Sequence, residues 1–135
     1  MSIAIAENGY RFSRSSISKL DGVHPALVMV VGLALTLSEV DFGITSGLRT
    51  VETQRSLLEA GKTTTMNSRH ITGHAIDFAA YPGGKLSWDW KYYAQIAVAM
   101  KQAAQLLGIS IEWGGDWITF KDGPHIQLSR SQYPG

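Results

Sequence analysis

The stretch Ser68-Arg69-His70-Ile71-Thr72-Gly73-His74-Ala75-Ile76-Asp77 is the densest cluster of polar residues in the chain, and it leads into a strand-like segment. From Ala75 to Tyr81 the alternation of residues predicts a strand. Successive side chains of a strand point to opposite faces, so Asp77 is expected on the face opposite Ile76 and Phe78. The stretch therefore predicts a core strand that carries one carboxylate.

Two arrangements of the histidines in this stretch compete. His70 and His74 are four residues apart, and on a helix they would share one face, as in the HExxH zinc enzymes. Gly73 interrupts such a helix, and Ile71 and Thr72 prefer an extended backbone. The extended arrangement is therefore favoured. In it His74 points away from Asp77 and is not expected to bind a metal.

The extended arrangement makes His70 and Asp77 candidate metal ligands. Catalytic zinc sites commonly use three protein ligands and leave a fourth position open to water. His125 is the candidate third ligand, because it begins an apolar strand after a turn. Asp122, three residues earlier, is the candidate base for the proton of the zinc-activated water. On spacing alone, an ordinary hydrogen-bonded polar cluster remains the alternative.

Outward from this stretch, helical and strand patterns mix without a βαβ rhythm. Asp21 offers a capping carboxylate for a helix that is apolar on nearly every face and is expected to be surrounded by other elements. The segment 61–69 is predicted to be a loop. Strands are predicted at 42–46, 109–113 and 125–128, and helices at 25–38, 50–61 and 90–107. The pattern predicts an α+β fold, a small antiparallel sheet with flanking helices.

Length and composition limit the function classes. With 135 residues, the chain is expected to form one domain over 1–135, with a core at about 24–128 and a polar N-terminal segment at 1–20. The net charge of +1 argues against a nucleic-acid partner. Without cysteine, any metal must be held by histidine and carboxylate groups. The apolar segment 26–37 is shorter than a membrane span, so no stable membrane insertion is expected, and no secretory signal is recognised.

Three motifs in order carry a family resemblance. Ser46-Gly47-Leu48-Arg49-Thr50, followed by Gln54, resembles an S-G-[YLI]-R-[ST] segment. The stretch 68–77 resembles S-x-H-x-x-G-x-A-x-D, and Asp122-Gly123-Pro124-His125 resembles an acidic residue three positions before a histidine. Together these motifs resemble the zinc D-Ala-D-Ala carboxypeptidase and phage endolysin family (peptidase M15-like), whose fold is similar to that of hedgehog-type domains.

The resemblance implies a role for each motif residue. It implies that His70, Asp77 and His125 bind Zn²⁺ and that Arg49 faces the substrate and stabilises the polarised carbonyl. Asp122 is then the catalytic acid and base. Ser68, judged from its own chemistry, is expected to hydrogen-bond in the loop or to orient a ligand and so to steady the site, and it is grouped with Arg49 as a substrate-binding residue. Trp113 and Trp117 could line a substrate groove or pack into the core, and the sequence leaves both open.

The resemblance also implies a function. The short chain and the aspartate at position 122 resemble the endolysin branch, whose members are L-alanyl-D-glutamate endopeptidases of peptidoglycan. This implies a monomeric metalloprotease made in the host cytoplasm, dependent on a holin, and acting in the periplasm and cell wall to lyse the host cell. The alternatives are a D,D-carboxypeptidase or dipeptidase that trims D-Ala, and a non-catalytic zinc module that binds cell wall.

Overall fold

The computed structural model describes residues 8–63 and 65–135, which form four helices and four strands with two short 3-10 turns. The helices are α1 (Arg14–Lys19), α2 (Pro25–Leu37), α3 (Val51–Glu59) and α4 (Trp90–Leu107). The strands are β1 (Phe42–Ser46), β2 (Ala75–Ala80), β3 (Ile111–Trp113) and β4 (His125–Leu128). The 3-10 turns are Pro82–Gly84 and Gly114–Asp116.

The strands form one antiparallel sheet in the order β1-β2-β4-β3. β2 is a central strand, and its Asp77 lies opposite both Ser46 of β1 and His125 of β4. The register between β1 and β2 shifts between Ile44 and Ser46, where a β-bulge occurs. A bulge re-aims the chain that follows it. The sheet therefore brings the ends of all three predicted motifs to one place.

Helices α2 and α4 pack against each other and contribute to the same core as the sheet. α4 buries one apolar face, which includes Tyr93, Ile96 and Met100, and Gly108 ends the helix in the left-handed region at φ 70. Ile76 and Phe78 are fully buried while Asp77 is partly exposed, as the alternation predicted. The predicted α+β fold, with helices flanking an antiparallel sheet, is confirmed.

The structure corrects several local predictions. Asp21 does not cap α2. Instead, Nδ1 of His24 accepts a hydrogen bond from the backbone N–H of Ala26 at 3.1 Å. Nor is α2 surrounded on all sides, because Met29 is 55% exposed. The third strand begins at Ile111 rather than at 109.

The polar N-terminal segment contains an element that its composition did not reveal. Residues 1–7 of that segment lie outside the described part of the chain. Within the remainder, α1 begins after the capping residue Ser13 and buries Ser16. The Ser16 hydroxyl accepts a hydrogen bond from the backbone N–H of Ile44 at 2.9 Å, which satisfies one donor of the edge strand. Among residues 8–63 and 65–135, no helix combines the length and the hydropathy that a bilayer crossing requires.

Candidate active site

His70, Asp77 and His125 form a cluster at the centre of the sheet. Each offers one ligand atom, and these atoms all lie within 4.8 Å of one another. Oδ1 of Asp77 is 3.3 Å from Nε2 of His70 and 3.0 Å from Nδ1 of His125. The three candidate metal ligands of the sequence are thus brought together, although they come from a loop and two strands.

Two hydrogen bonds fix which ring nitrogens face Asp77. Nδ1 of His70 donates to the carbonyl oxygen of Gly47 at 2.9 Å, so its Nε2 is left without a proton in the neutral ring. Nε2 of His125 donates to Oε1 of Gln127 at 2.9 Å, which leaves Nδ1 free in the same way. Outer partners of this kind orient metal-binding histidines and select their tautomer.

The donor set fits a zinc ion. Two imidazole nitrogens and one carboxylate oxygen are a common protein ligand set of open catalytic zinc sites. A tetrahedral ion with ligands about 2.0 to 2.1 Å away separates neighbouring ligand atoms by roughly 3.3 Å. The separations of 3.3 and 3.0 Å around Asp77 are close to that value. The cluster can therefore hold a metal ion.

Electrostatics in the cluster favour an ionised Asp77. Burial by itself would raise the pKa of this carboxyl, but hydrogen bonds to His125 and His70 and their charges outweigh burial and hold the pKa well below its usual range. For His125, burial would lower the pKa, whereas the hydrogen bond and charge of Asp77 raise it above its usual value. The two opposite shifts arise from the same pair.

Asp122 lies beside this cluster on the turn before β4. Its backbone N–H donates to the carbonyl of Gly114 at 3.0 Å, which holds the turn against the 3-10 segment. Burial, and then the negative charge of Asp77, raise the pKa of Asp122 above the usual carboxyl value. A carboxyl with a raised pKa is better suited to accept and return a proton near neutral pH.

Arg49 reaches the cluster from the corner between β1 and α3. Nη2 lies 3.7 Å from Oδ2 of Asp77 and donates to the hydroxyl of Ser46 at 3.2 Å. Nη1 donates to Oε1 of Gln54 at 2.8 Å. The backbone N–H of Arg49 bonds the carbonyl of His70, so the first and second motifs are joined directly. A planar guanidinium held in this way can donate to a substrate carbonyl.

Of the remaining predicted residues, Ser68 and Trp117 line the cleft, whereas His74 and Trp113 are not among its lining residues. Ser68 lines the cleft, and its hydroxyl accepts a hydrogen bond from the backbone N–H of His70 at 3.2 Å. His74 lies outside the cluster, with Nδ1 2.7 Å from the hydroxyl of Thr72. Trp113 is buried and donates to the carbonyl of Gly123 at 2.7 Å. Trp117 instead lines the cleft, with its ring centroid 5.1 Å from that of His125.

A cleft of about 760 Å³ opens over the cluster and contains Arg49, Asp77 and Asp122 in its lining. Its other walls come from loop residues 62, 63, 65 and 67–69 and from the segment around Phe120. The charged lining residues among those described are Arg49, Lys62, Arg69, Lys121 and Arg130 against Asp77, Glu112 and Asp122. The cationic excess, to which a bound metal ion would add, favours an anionic substrate.

Sequence reasoning did not identify two of these supporting groups. Gln127 orients His125, and its signal was available, because residues two apart on a strand share a face. The carbonyl of Gly47 orients His70. Because every residue has a backbone carbonyl, the sequence does not indicate which one serves as this acceptor. A Cβ at Gly47 would collide with the carbonyl of Lys19, so this glycine is required by close approach of two backbones.

The fold and the cluster define a class of small α+β peptidases in which two histidines and one aspartate are placed to hold a metal ion. The family model described as "Phage L-alanyl-D-glutamate peptidase" matches residues 8–129. The chain belongs to this family.

Relatives agree with this assignment. The chain is 37% identical over 130 residues to the L-alanyl-D-glutamate peptidase of Escherichia phage T5, which covers 93% of this chain and 94% of the relative. The crystal structure of the Serratia marcescens L-Ala D-Glu endopeptidase ChiX matches with a TM-score of 0.88 and 48% identity, over 98% of this chain and all of that one.

A more distant structure shares the fold. The vancomycin resistance D,D-dipeptidase VanXYg, solved with a D-Ala-D-Ala phosphinate analogue, matches with a TM-score of 0.50 and 16% identity. The match covers 78% of this chain and 50% of that one. At this identity it is evidence for a shared fold only.

Proposed function

We propose that the protein hydrolyses the bond between L-alanine and D-glutamate in the stem peptide of bacterial peptidoglycan. The observation that carries the proposal is that the His70, Asp77 and His125 cluster lines one cleft together with Arg49 and Asp122. Family membership and the 48% identity to an L-Ala D-Glu endopeptidase support this choice of bond.

In the proposed mechanism Zn²⁺ is the cofactor, and Nε2 of His70, Nδ1 of His125 and a carboxylate oxygen of Asp77 would hold it. Zinc bound there would lower the pKa of a coordinated water to about 7 and polarise the scissile carbonyl. The hydrogen bonds from His70 to Gly47 and from His125 to Gln127 hold both rings in the tautomer that metal binding requires.

The proton steps belong to Asp122. Its carboxylate accepts a proton from the attacking water and returns it to the departing amine of D-glutamate. Arg49 donates to the carbonyl oxygen on which negative charge develops. Ser68 acts on the substrate side of the cleft and, through its bond to the His70 backbone, steadies the loop end that carries this ligand.

Because its substrate is the cell wall, the enzyme acts in the periplasm and wall and lyses the bacterial host. We include in the proposal that a monomer is made in the host cytoplasm and reaches the wall through a membrane opened by a holin. Co-expression with and without a holin tests the route, and light scattering tests the monomer.

The chemistry is tested by mass spectrometry of purified peptidoglycan after digestion with the zinc-loaded protein, with a chelated sample as the control. New fragments that begin at D-glutamate support the proposal. Release of free D-alanine would instead make the protein a D,D-carboxypeptidase. No zinc-dependent product would leave a wall-binding module as the better account.

A further inference from the structure

We propose that Gln54 is a positioning residue that sets both the guanidinium of Arg49 and the part of the cleft wall formed by Thr63 and Thr65. The inference rests on the proposed function, because Arg49 is assigned there to the substrate carbonyl. Gln54 is the one buried side chain among the nine residues of α3, and it is completely inaccessible to solvent. Burying a side-chain amide costs free energy unless its polar atoms form hydrogen bonds, so the buried amide of Gln54 requires hydrogen-bond partners.

Both ends of the Gln54 amide have partners on the cleft. Oε1 accepts from Nη1 of Arg49 at 2.8 Å, and Nε2 donates to the carbonyl of Thr65 at 2.7 Å. A longer contact of 3.4 Å joins Nε2 to the hydroxyl of Thr63. A guanidinium only donates and a carbonyl only accepts, so the amide can face them in only one orientation. One side chain thus connects the corner that carries Arg49 to the loop.

This link decides where the guanidinium points. Nη2 of Arg49 lies 3.7 Å from Oδ2 of Asp77, and within the described part of the chain the guanidinium donates to Ser46 and Gln54. Without the Gln54 acceptor, the guanidinium would turn further towards Asp77 and away from the open cleft. On the other side of the link, Thr63 and Thr65 line the cleft, so releasing them changes the surface that receives the substrate.

Two variants separate these roles. Gln54→Glu keeps an acceptor for Arg49 but places an oxygen against the Thr65 carbonyl, so KM should rise while kcat is largely kept. Gln54→Met removes both bonds at similar volume, so kcat should also fall, by roughly tenfold or more, the usual effect of losing a hydrogen bond to a charged group. Gln105→Met, the same change at an exposed helical position, should match the wild type.

The kinetic experiment measures kcat and KM of the zinc-loaded protein on a soluble stem peptide that contains the L-Ala–D-Glu bond. A cycle with Arg49→Met should show that the Gln54→Met and Arg49→Met effects on kcat/KM are not additive. Equal kcat for Gln54→Met and wild type, or full additivity, would overturn the inference.

Two measurements do not depend on hydrolysis. NMR signals of the Arg49 guanidinium should broaden or shift in Gln54→Met but stay close to wild type in Gln54→Glu. Trypsin should cut after Lys62, an exposed residue of the loop, faster in both variants than in Gln105→Met. If the wild type hydrolyses nothing, the proposed function fails, while these two measurements still test the link. Unchanged guanidinium signals and unchanged cutting would refute the link by themselves.

Discussion

Asp77 and His125 are directly opposed residues of β2 and β4, and Oδ1 of the first lies 3.0 Å from Nδ1 of the second. The pairing of two strands, rather than a loop, therefore sets the separation of two candidate ligands. Sites built on regular elements hold their geometry more closely than sites built on loops. The cluster should accordingly be formed before a metal ion arrives.

Replacing His125 by alanine should abolish stoichiometric zinc binding, because two remaining ligands make a much weaker site. His74→Ala is the matched control, since its ring lies outside the cluster. Zinc content after dialysis, measured by atomic emission, should be near one per chain for His74→Ala and near zero for His125→Ala. Equal zinc in the two variants would rule out His125 as a ligand.

Asp122→Asn should lower kcat by about 10² to 10⁴ without loss of zinc, because an amide cannot take the proton from water. Asp116→Asn provides the control, as this nearby acid is exposed and paired with Lys101 at 2.6 Å. Stem-peptide hydrolysis and zinc content should be measured on both. Retained hydrolysis in Asp122→Asn would assign the proton steps to another group.

Gln127→Met should weaken zinc binding by roughly 10- to 100-fold, since His125 would lose the partner that fixes its tautomer. The variant should remain folded, because methionine has a similar volume. Competition with a chelating dye measures the affinity. An affinity equal to that of wild type would show that His125 does not depend on this hydrogen bond.

The parts of this architecture that follow from local patterns were predictable. The helix at 90–107, the strand around Asp77 and the three motifs can each be recognised from a few neighbouring residues, and the structure confirms the fold they indicate. The resemblance to the endolysin family is likewise confirmed. The roles of Asp122 and Arg49 remain predictions that the experiments above test.

The features that the sequence did not predict depend on tertiary or backbone contacts. α1 is short and polar, and its Ser16 finds a partner 28 residues away at Ile44. His24, rather than Asp21, caps α2, because its ring nitrogen reaches the backbone of Ala26. Gly47 serves through its carbonyl. A tertiary or backbone contact determines the position of α1, the cap of α2 and the orientation of His70, and such contacts cannot be read from local composition.

Gly47→Ala should reduce the free energy of unfolding by about 1 to 3 kcal/mol, because the new Cβ has no room against the carbonyl of Lys19. Gly32→Ala is a control of the opposite sign. It lies within α2 with open space around it, so alanine should stabilise the helix. Urea unfolding of both variants tests the pair. A Gly47→Ala protein as stable as wild type would contradict the close approach of the two backbones.

Above pH 6.5 the pH dependence of stability should have opposite signs in the zinc-loaded and the metal-free protein. In the metal-free protein the pKa of Asp77 lies below the ordinary 3.8, so its contribution to stability is lost as pH falls below that value. The pKa of His125 lies above the ordinary 6.5, so its contribution is complete below 6.5 and is lost as pH rises through the raised value. The pair therefore stabilises the metal-free protein most between these two limits.

Zinc reverses the upper half of this profile, because it binds deprotonated imidazoles and so adds more stability as pH rises. Urea unfolding over a pH series, with zinc or with a chelator, should give curves that diverge above pH 6.5. Asp77→Asn should flatten the chelated curve, since neither partner keeps its shift, whereas Asp116→Asn should leave it unchanged. A chelated Asp77→Asn curve parallel to wild type would mean that the opposed pair contributes nothing to the pH dependence of folding.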